Sequence, residues 1–473
     1  MSYRVRVYNN SALKTRLPLS QASPPQGRSL HFLPLVITLM LMWSLAPAAS
    51  ASALAYHAGT QAHPVKNMPL LGKAGLQPPT YAQCQQLGFL CYSPQEMRAA
   101  YSLTPVLNRG ITGAGQTIVI VDSFGSPTAW QDLQKFDRDY GLPDPPSFQQ
   151  LAPIGSVPFN PNNGDQVGWA EETSLDIQWS HAMAPGANIV VLTSPVAETE
   201  GVQGLPQFLQ LEQYAVAHNY KIFSQSWAAT ENTLFTPAGN QVLNDFNAFY
   251  MKAVLAHQAT FFASTGDSGS ANVDVNGNTY PFPTVGFPAS SPWVTAVGGT
   301  SLYADVNGNY QRETVWNDGP SDATGGGVSQ YFRIPPWQKA TLPGSELAIL
   351  KGYRGLPDIA SNADPNTGVP VYLGFLGAQN GYYVFGGTSE SSPTWAGILA
   401  DAFQYAGHPI SFLNARLYLL GQNALVRGLV FHDVTVGNND QPPIAGYSAT
   451  VGWDPVTGWG SPIASQLFAA LAR

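Results

Sequence analysis

Ser389 lies in the stretch Gly386-Gly387-Thr388-Ser389-Glu390-Ser391-Ser392-Pro393, between the aromatic run Tyr382-Tyr383-Val384-Phe385 and the apolar segment Ala396 to Phe403. Two glycines allow a tight turn out of an extended segment, and the small residues after them lead into a buried helix. Ser389 is therefore expected at or near a helix N-terminus. Backbone N–H groups and the positive end of the helix dipole can stabilise an oxyanion there, which gives the serine a physical reason to be a nucleophile. The same residue types also suit plain capping, with Thr388 or Ser389 as N-cap and Pro393 in the first turns. A nucleophile needs a base, so the remaining polar residues decide between the two readings.

From Trp169 to Met183 the chain has no helix breaker and carries apolar residues at helical spacing. On that helix Glu172 and Asp176 share a face, whereas Glu171 points away from Asp176. Two adjacent carboxylates among Trp169, Leu175 and Trp179 would raise each other's proton affinity and share a proton, as suits a general base and its orienting partner. A solvated acidic helix face is the competing reading. Asp267 follows an apolar strand in Ser264-Thr265-Gly266-Asp267-Ser268-Gly269. Protonated, it could donate to a developing oxyanion; otherwise it is an ordinary Asx-turn residue. Ser268 in Gly-Asp-Ser-Gly is also a possible nucleophile of the chymotrypsin type, but no Ala-x-His-Cys segment accompanies it. A His-dependent hydrolase using Ser389 would have to draw on His181, because no His-Gly-Thr segment occurs.

The elements that must position these groups alternate. Gln116 to Asp122, Asn188 to Leu192, Lys221 to Phe223 and Thr260 to Ala263 read as short apolar strands. Helical stretches fall near Trp130 to Phe136, Leu205 to His218 and Val242 to His257, with a last short helix at Ser465 to Leu471. The expectation is an α/β fold with a central parallel sheet flanked by helices on both faces. Asp122 and the Asp267 turn then fall at carboxyl ends of strands, where ligands gather on such sheets. No internal repeat is visible, and residues 270 to 385 read as long loops with β-segments.

Residues 1–53 read as a signal peptide. Arg4, Arg6, Lys14, Arg16 and Arg28 precede the apolar run Phe32 to Leu45, which is followed by Ala-rich small residues. Residues 54–91 read as an extended N-terminal arm, with ordered structure beginning near Tyr92. Removing residues 1–53 leaves 16 basic against 29 acidic residues, a net charge of about −13, which argues against nucleic acid or an anionic membrane as partner. A secreted protein, acting as a monomer, is expected. Cys84 and Cys91 are the only cysteines. In an exported chain they suit a local disulfide, with free buried thiols as the alternative.

Glu172-x-x-x-Asp176, Ser226-Trp227, Ser264-x-Gly266-Asp267-x-Gly269, Gly387-Thr388-Ser389-x-x-x-Pro393, and Asp433-Val434-Thr435 with Gly452-Trp453-Asp454 occur in this order. With Phe287 to Pro292, Gly325 to Ser329, and Pro357 to Ala360, these blocks make residues 92–473 resemble the sedolisins, the serine-carboxyl peptidases of subtilisin-like fold. The resemblance implies a secreted endopeptidase acting on proteins or peptides in acid. It implies Ser389 as nucleophile, Glu172 as base, Asp176 as its partner and Asp267 as oxyanion acid. It also implies one structural Ca2+ held by the side chains of Asp433 and Asp454 and the carbonyls of Val434, Thr450 and Gly452. A non-catalytic binding protein on the same scaffold is the other expectation. Four positions depart from the pattern: Gly386 and Thr450 replace a usual Ser and Gly, Ala228 a usual Gly, and Asp122 a Glu of some members. The family's long prosegment is matched here by only about forty residues between the expected cleavage site and Tyr92.

Overall fold

The computed structural model describes residues 75–320 and 322–472. The expected signal peptide and the arm up to residue 74 lie outside the described residues. From Gly75 onward the expectation of an extended arm is corrected. Thr80 and Gln83 form a reciprocal capping box that starts helix α1 (Tyr81–Gln86). Strand β1 (Leu90–Cys91) then pairs in parallel with Thr367 and Gly368. Cys84 and Cys91 form a disulfide that closes this unit, with their Cα atoms 5.8 Å apart.

Beyond helix α2 (Pro94–Ala100), strands and helices alternate as the patterning predicts. In order they are β2 (Thr117–Ser123), α3 (Ala129–Tyr140), β3 (Phe148–Leu151), α4 (Gly164–Met183), β4 (Asn188–Ser194), α5 (Leu205–Ala217), β5 (Ile222–Gln225), α6 (Pro237–His257) and β6 (Thr260–Ser264). Residues 270 to 385 hold more regular structure than expected, including β7 (Thr295–Ala304), β8 (Tyr310–Val315), β9 (Ile359–Asn362), β10 (Thr367–Leu373) and β11 (Gly381–Phe385). Helices α7 (Thr388–Ala406), α8 (Ala424–Val430) and α9 (Ala464–Leu471) follow.

The central eight-stranded sheet runs β8-β7-β6-β5-β2-β4-β3, with β9 also paired to β7. All its pairings are parallel except β8 with β7. Period-two alternation divides its side chains between the two faces. Ile118, Ile222 and Phe262 pack with Leu175, Trp179, Trp395 and Leu399 of α4 and α7. Val119, Phe223 and Phe261 pack with Leu211, Phe246 and Tyr250 of α5 and α6. Each such fully buried side chain contributes about 1.5–3 kcal/mol, so both helix layers are firmly held to the sheet. The expected α/β architecture with helices on both faces is what the chain adopts.

One repeat escaped the sequence reading. Asp-Val-Asn-Gly-Asn occurs at residues 274–278 and again at 305–309. In each copy the Asp Oδ1 accepts hydrogen bonds from the backbone N–H groups two and four residues later, at 2.8 and 2.9 Å. Both are side-chain-stabilised turns, too short a signal to stand out as a structural unit.

Candidate active site

Helix α4 is buried on every side from Trp169 to Met183, which excludes a solvated acidic face for Glu172 and Asp176. Their side chains are at most 1% exposed. Helix α7 packs beside α4 and starts from the turn after β11. Gly387, at φ 94°, is its N-cap, and no side chain caps the helix. Ser389 is the second helical residue and only 4% exposed. The capping reading of Thr388 and Ser389 therefore fails. The turn residue needs a left-handed conformation that only glycine adopts cheaply, and the Thr388 side chain bonds elsewhere.

The Ser389 hydroxyl lies beside the Glu172 carboxylate and favours its charged form. Neither Glu172 oxygen makes a hydrogen bond of normal geometry, as is common before substrate tightens a catalytic contact. Burial above all, then the nearby Asp122, raises the proton affinity of Glu172 well above that of an ordinary glutamate. Asp176 is raised in the same way, by burial and then by Asp122 and Glu172. Its Oδ1 accepts a 2.8 Å hydrogen bond from Ser226 Oγ at the end of β5, which pulls the other way. Asp122, at the end of β2, is fully buried and pushed up to about 7. Three carboxyl groups thus share one desolvated space in which they cannot all be charged.

Asp267 reaches the turn before Ser389 from the end of β6. Its Oδ1 accepts from the Thr388 backbone N–H at 2.7 Å and from Thr388 Oγ1 at 2.8 Å, and Thr388 Oγ1 in turn accepts from the Gly266 N–H at 3.0 Å. Gly325 runs alongside, donating to the Gly266 carbonyl at 2.6 Å, and a Cβ on Gly325 would sit 2.1 Å from the Thr265 carbonyl oxygen. The structure thus brings Ser389, Glu172, Asp176 and Asp267 together.

The alternatives fare differently. His181 lies nine residues beyond Glu172 on α4, about 13 Å along the axis. It is fully buried, with Nε2 2.9 Å from the Pro143 carbonyl and 3.3 Å from Asp137. Its place is structural, so it cannot serve Ser389 as a base. Ser268 sits in the turn as a β-bridge partner of Ala323.

Two groups in the site had no assigned role in the sequence reading. Asp122 was placed at a strand end, where some family members carry a Glu that extends the carboxylate chain, and Ser226 only within a family block. The available signal was topological: Asp122, Ser226 and Asp267 all lie at or just beyond the carboxyl ends of parallel strands of the sheet. Pro393 adds a local reason for Ser226. A helix residue at 393 would donate its N–H to the Ser389 carbonyl, and proline cannot. Ser226 Oγ stands 3.3 Å from that carbonyl oxygen.

The residues expected to hold calcium lie on two connected loops. Gly452 N–H donates to both Asp433 oxygens, at 3.1 and 2.9 Å, and Thr450 N–H donates to Asp454 Oδ2 at 2.9 Å. Segment 450–454 therefore contains Asp454 with the backbone of Thr450 and Gly452, and the Gly452 N–H ties it to Asp433. Two carboxylates with carbonyl oxygens make an oxygen-only donor set that suits a hard cation. Among the described residues no group of three or more His, Cys, Asp and Glu could hold a metal, so any ion here would depend on the carbonyls.

Comparison with known proteins agrees with this geometry. The subtilase family (peptidase S8) model matches residues 155–446. The chain is 37% identical to kumamolisin of Bacillus sp. (strain MN-32) over 393 residues, 82% of this chain and 65% of that protein. It is 33% identical to sedolisin of Pseudomonas sp. (strain 101) over 365 residues, 74% of this chain and 57% of that protein. It thus spans less than two thirds of the length of both. The solved structure of Pseudomonas sedolisin, a serine-carboxyl proteinase, superposes with a TM-score of 0.68 at 31% identity, covering 80% of this chain and 98% of that one. The fold and site define a subtilase. Within that family the chain belongs to the sedolisins.

Proposed function

We propose that the protein is a serine-carboxyl endopeptidase, exported from the cell, that cleaves protein or peptide substrates in acid. The observation that carries this reading is a buried serine at a helix N-terminus whose neighbour is a glutamate, with no histidine beside it among the described residues. Ser389 Oγ attacks the scissile carbonyl carbon while Glu172 takes its proton. Protonated Asp267 and the Ser389 N–H stabilise the oxyanion. As the intermediate collapses, the C–N bond breaks and Glu172 hands the proton to the departing amine. Water then attacks the acyl-enzyme, with Glu172 again as base, releasing the acid and regenerating Ser389. Asp176, held by Ser226, keeps Glu172 in place throughout.

Asp433, Asp454 and the carbonyls of Val434, Thr450 and Gly452 would hold one Ca2+. When bound, the ion supplies charge neutralisation and a tie between the two loops. The exported form acts as a monomer in this reading. Among the described residues no helix is long and apolar enough to cross a membrane.

The test is digestion of a denatured protein between pH 3 and 7 by the wild type, Ser389→Ala and Glu172→Gln. Activity confined to the wild type and strongest on the acid side is expected. Full activity in Glu172→Gln would refute the base assignment. Failure of the wild type both to digest and to react with a peptide aldehyde would indicate a non-catalytic binding protein.

A further inference from the structure

The side chain of Arg427, on α8, lies against the residues expected to hold calcium. Its Nε donates to Asp433 Oδ2 at 3.2 Å, and its Nη1 donates to the Gly421 carbonyl at 3.1 Å, so the guanidinium is held at both ends. It also lies over Gly452, where an added Cβ would stand 3.6 Å from Nη1. Both Asp433 and Gly452 belong to the expected ligand set. Asp433 Oδ2 accepts at the same time from the Gly452 N–H at 2.9 Å, so the oxygen is already engaged by two donors. The ion pair is largely shielded, with 15% and 21% of the two side chains exposed.

We propose that Arg427 is a built-in counter-cation for this site. It balances Asp433 and holds segment 450–454 in place when calcium is absent, and it weakens calcium binding when the ion is offered. The inference rests on the calcium reading above. A calcium ion on Asp433 would bond at about 2.4 Å from a carboxylate oxygen. The guanidinium would then lie within a few ångströms of a doubly charged ion, with little water between to screen the repulsion. Calcium must either displace Arg427 from Oδ2 or bind beside it against that repulsion.

The experiment uses the full chain carrying Ser389→Ala, so that self-digestion does not intervene. It compares Arg427 with Arg427→Gln, which keeps the stem and removes the charge, and with Arg427→Ala. Calcium is titrated by calorimetry, and the melting temperature is read in calcium and in chelator. The expected result is calcium affinity about tenfold tighter in both variants. The variants should lose several degrees of melting temperature in chelator and recover them in calcium, while the parent changes little. Equal affinity and equal chelator sensitivity in parent and variants would overturn the role of Arg427 while leaving the site intact. If no chain binds calcium and Asp433→Ala changes nothing in calcium, the calcium reading falls, and the competition falls with it.

Discussion

Replacing Asp122 with asparagine separates the two consequences of burying carboxyl groups in this site. Burial raises the Asp122 carboxyl from an ordinary 3.8 to about 7, partly opposed by the neighbouring Thr173 hydroxyl. At about 1.36 kcal/mol per pH unit, a rise of roughly three units corresponds to about 4 kcal/mol. The sign follows from which state binds protons more tightly. Between about pH 4 and 7 the folded chain keeps the Asp122 proton and the unfolded chain releases it, so stability falls as pH rises through this window. Below it the contribution is complete, and above about 7 it is lost. The asparagine side chain has nothing to titrate. Denaturation midpoints of Ser389→Ala and Asp122→Asn, Ser389→Ala chains should therefore differ by one constant amount near pH 3. They should shift in favour of the variant by up to about 4 kcal/mol by pH 8. Because Asp122 holds its proton below about pH 7, it carries no charge across the acid limb of kcat/KM, and the active Asp122→Asn enzyme should keep that limb where it is. Difference curves independent of pH would refute the reasoning.

Two further outcomes follow from the same geometry. Ser226→Ala removes the 2.8 Å hydrogen bond to Asp176, a loss of about 1–2 kcal/mol or roughly tenfold in kcat. It also raises Asp176 further, so steady-state kinetics should show a lower kcat, little change in KM and an acid limb displaced upward; an unchanged pH profile would remove Ser226 from the site. Gly386→Ser restores the residue usual in the family, yet its Cβ would stand 2.4 Å from the Ala363 oxygen and the Pro365 nitrogen. Because both are backbone atoms, a loss of about 1–3 kcal/mol is expected, read as a lower denaturation midpoint; an unchanged midpoint would show that segment 363–365 yields freely.

The alternation of apolar strands and helices and the Glu172–Asp176 spacing were legible because period and spacing are local properties. What is not local could not be read. Whether Glu172 and Asp176 face solvent depends on α7 packing over α4, across more than two hundred residues of chain. Asp122 and Ser226 acquire roles only because parallel pairing brings three strand ends together. The ordered start at Thr80 was missed although its capping box is a local signal, because the surrounding Ala, Gly, Pro and Gln obscured any periodicity. Gly386 was recorded as a departure from the family, and only the close approach of segment 363–365 explains why a smaller residue stands there.

The buried acids outside the site bear on why a fold would use carboxylates where a histidine would serve at neutral pH. Glu390, next to Ser389 and hydrogen-bonded by Asn362 Nδ2 at 3.1 Å, is raised by burial. So are Glu212, which accepts from Tyr250, and Asp401, despite the pull of the Arg98 charge. Glu313 is raised to about 6 by burial, though Ser461, Thr300 and Tyr101 all donate to it. In acid each of these groups is neutral and can be buried at little cost. As pH rises, each must either ionise in a desolvated setting or hold its proton against the solvent, and folding weakens by the linkage worked out for Asp122. A histidine base would need neutral conditions, where this core is at its least stable. A glutamate ionises at lower pH than a histidine, so a glutamate base works nearer the pH at which this core is most stable, even with burial moving its range upward. The proposed chemistry and the stability of the scaffold thus both turn on the pH at which carboxyl groups buried between the sheet and its helices ionise.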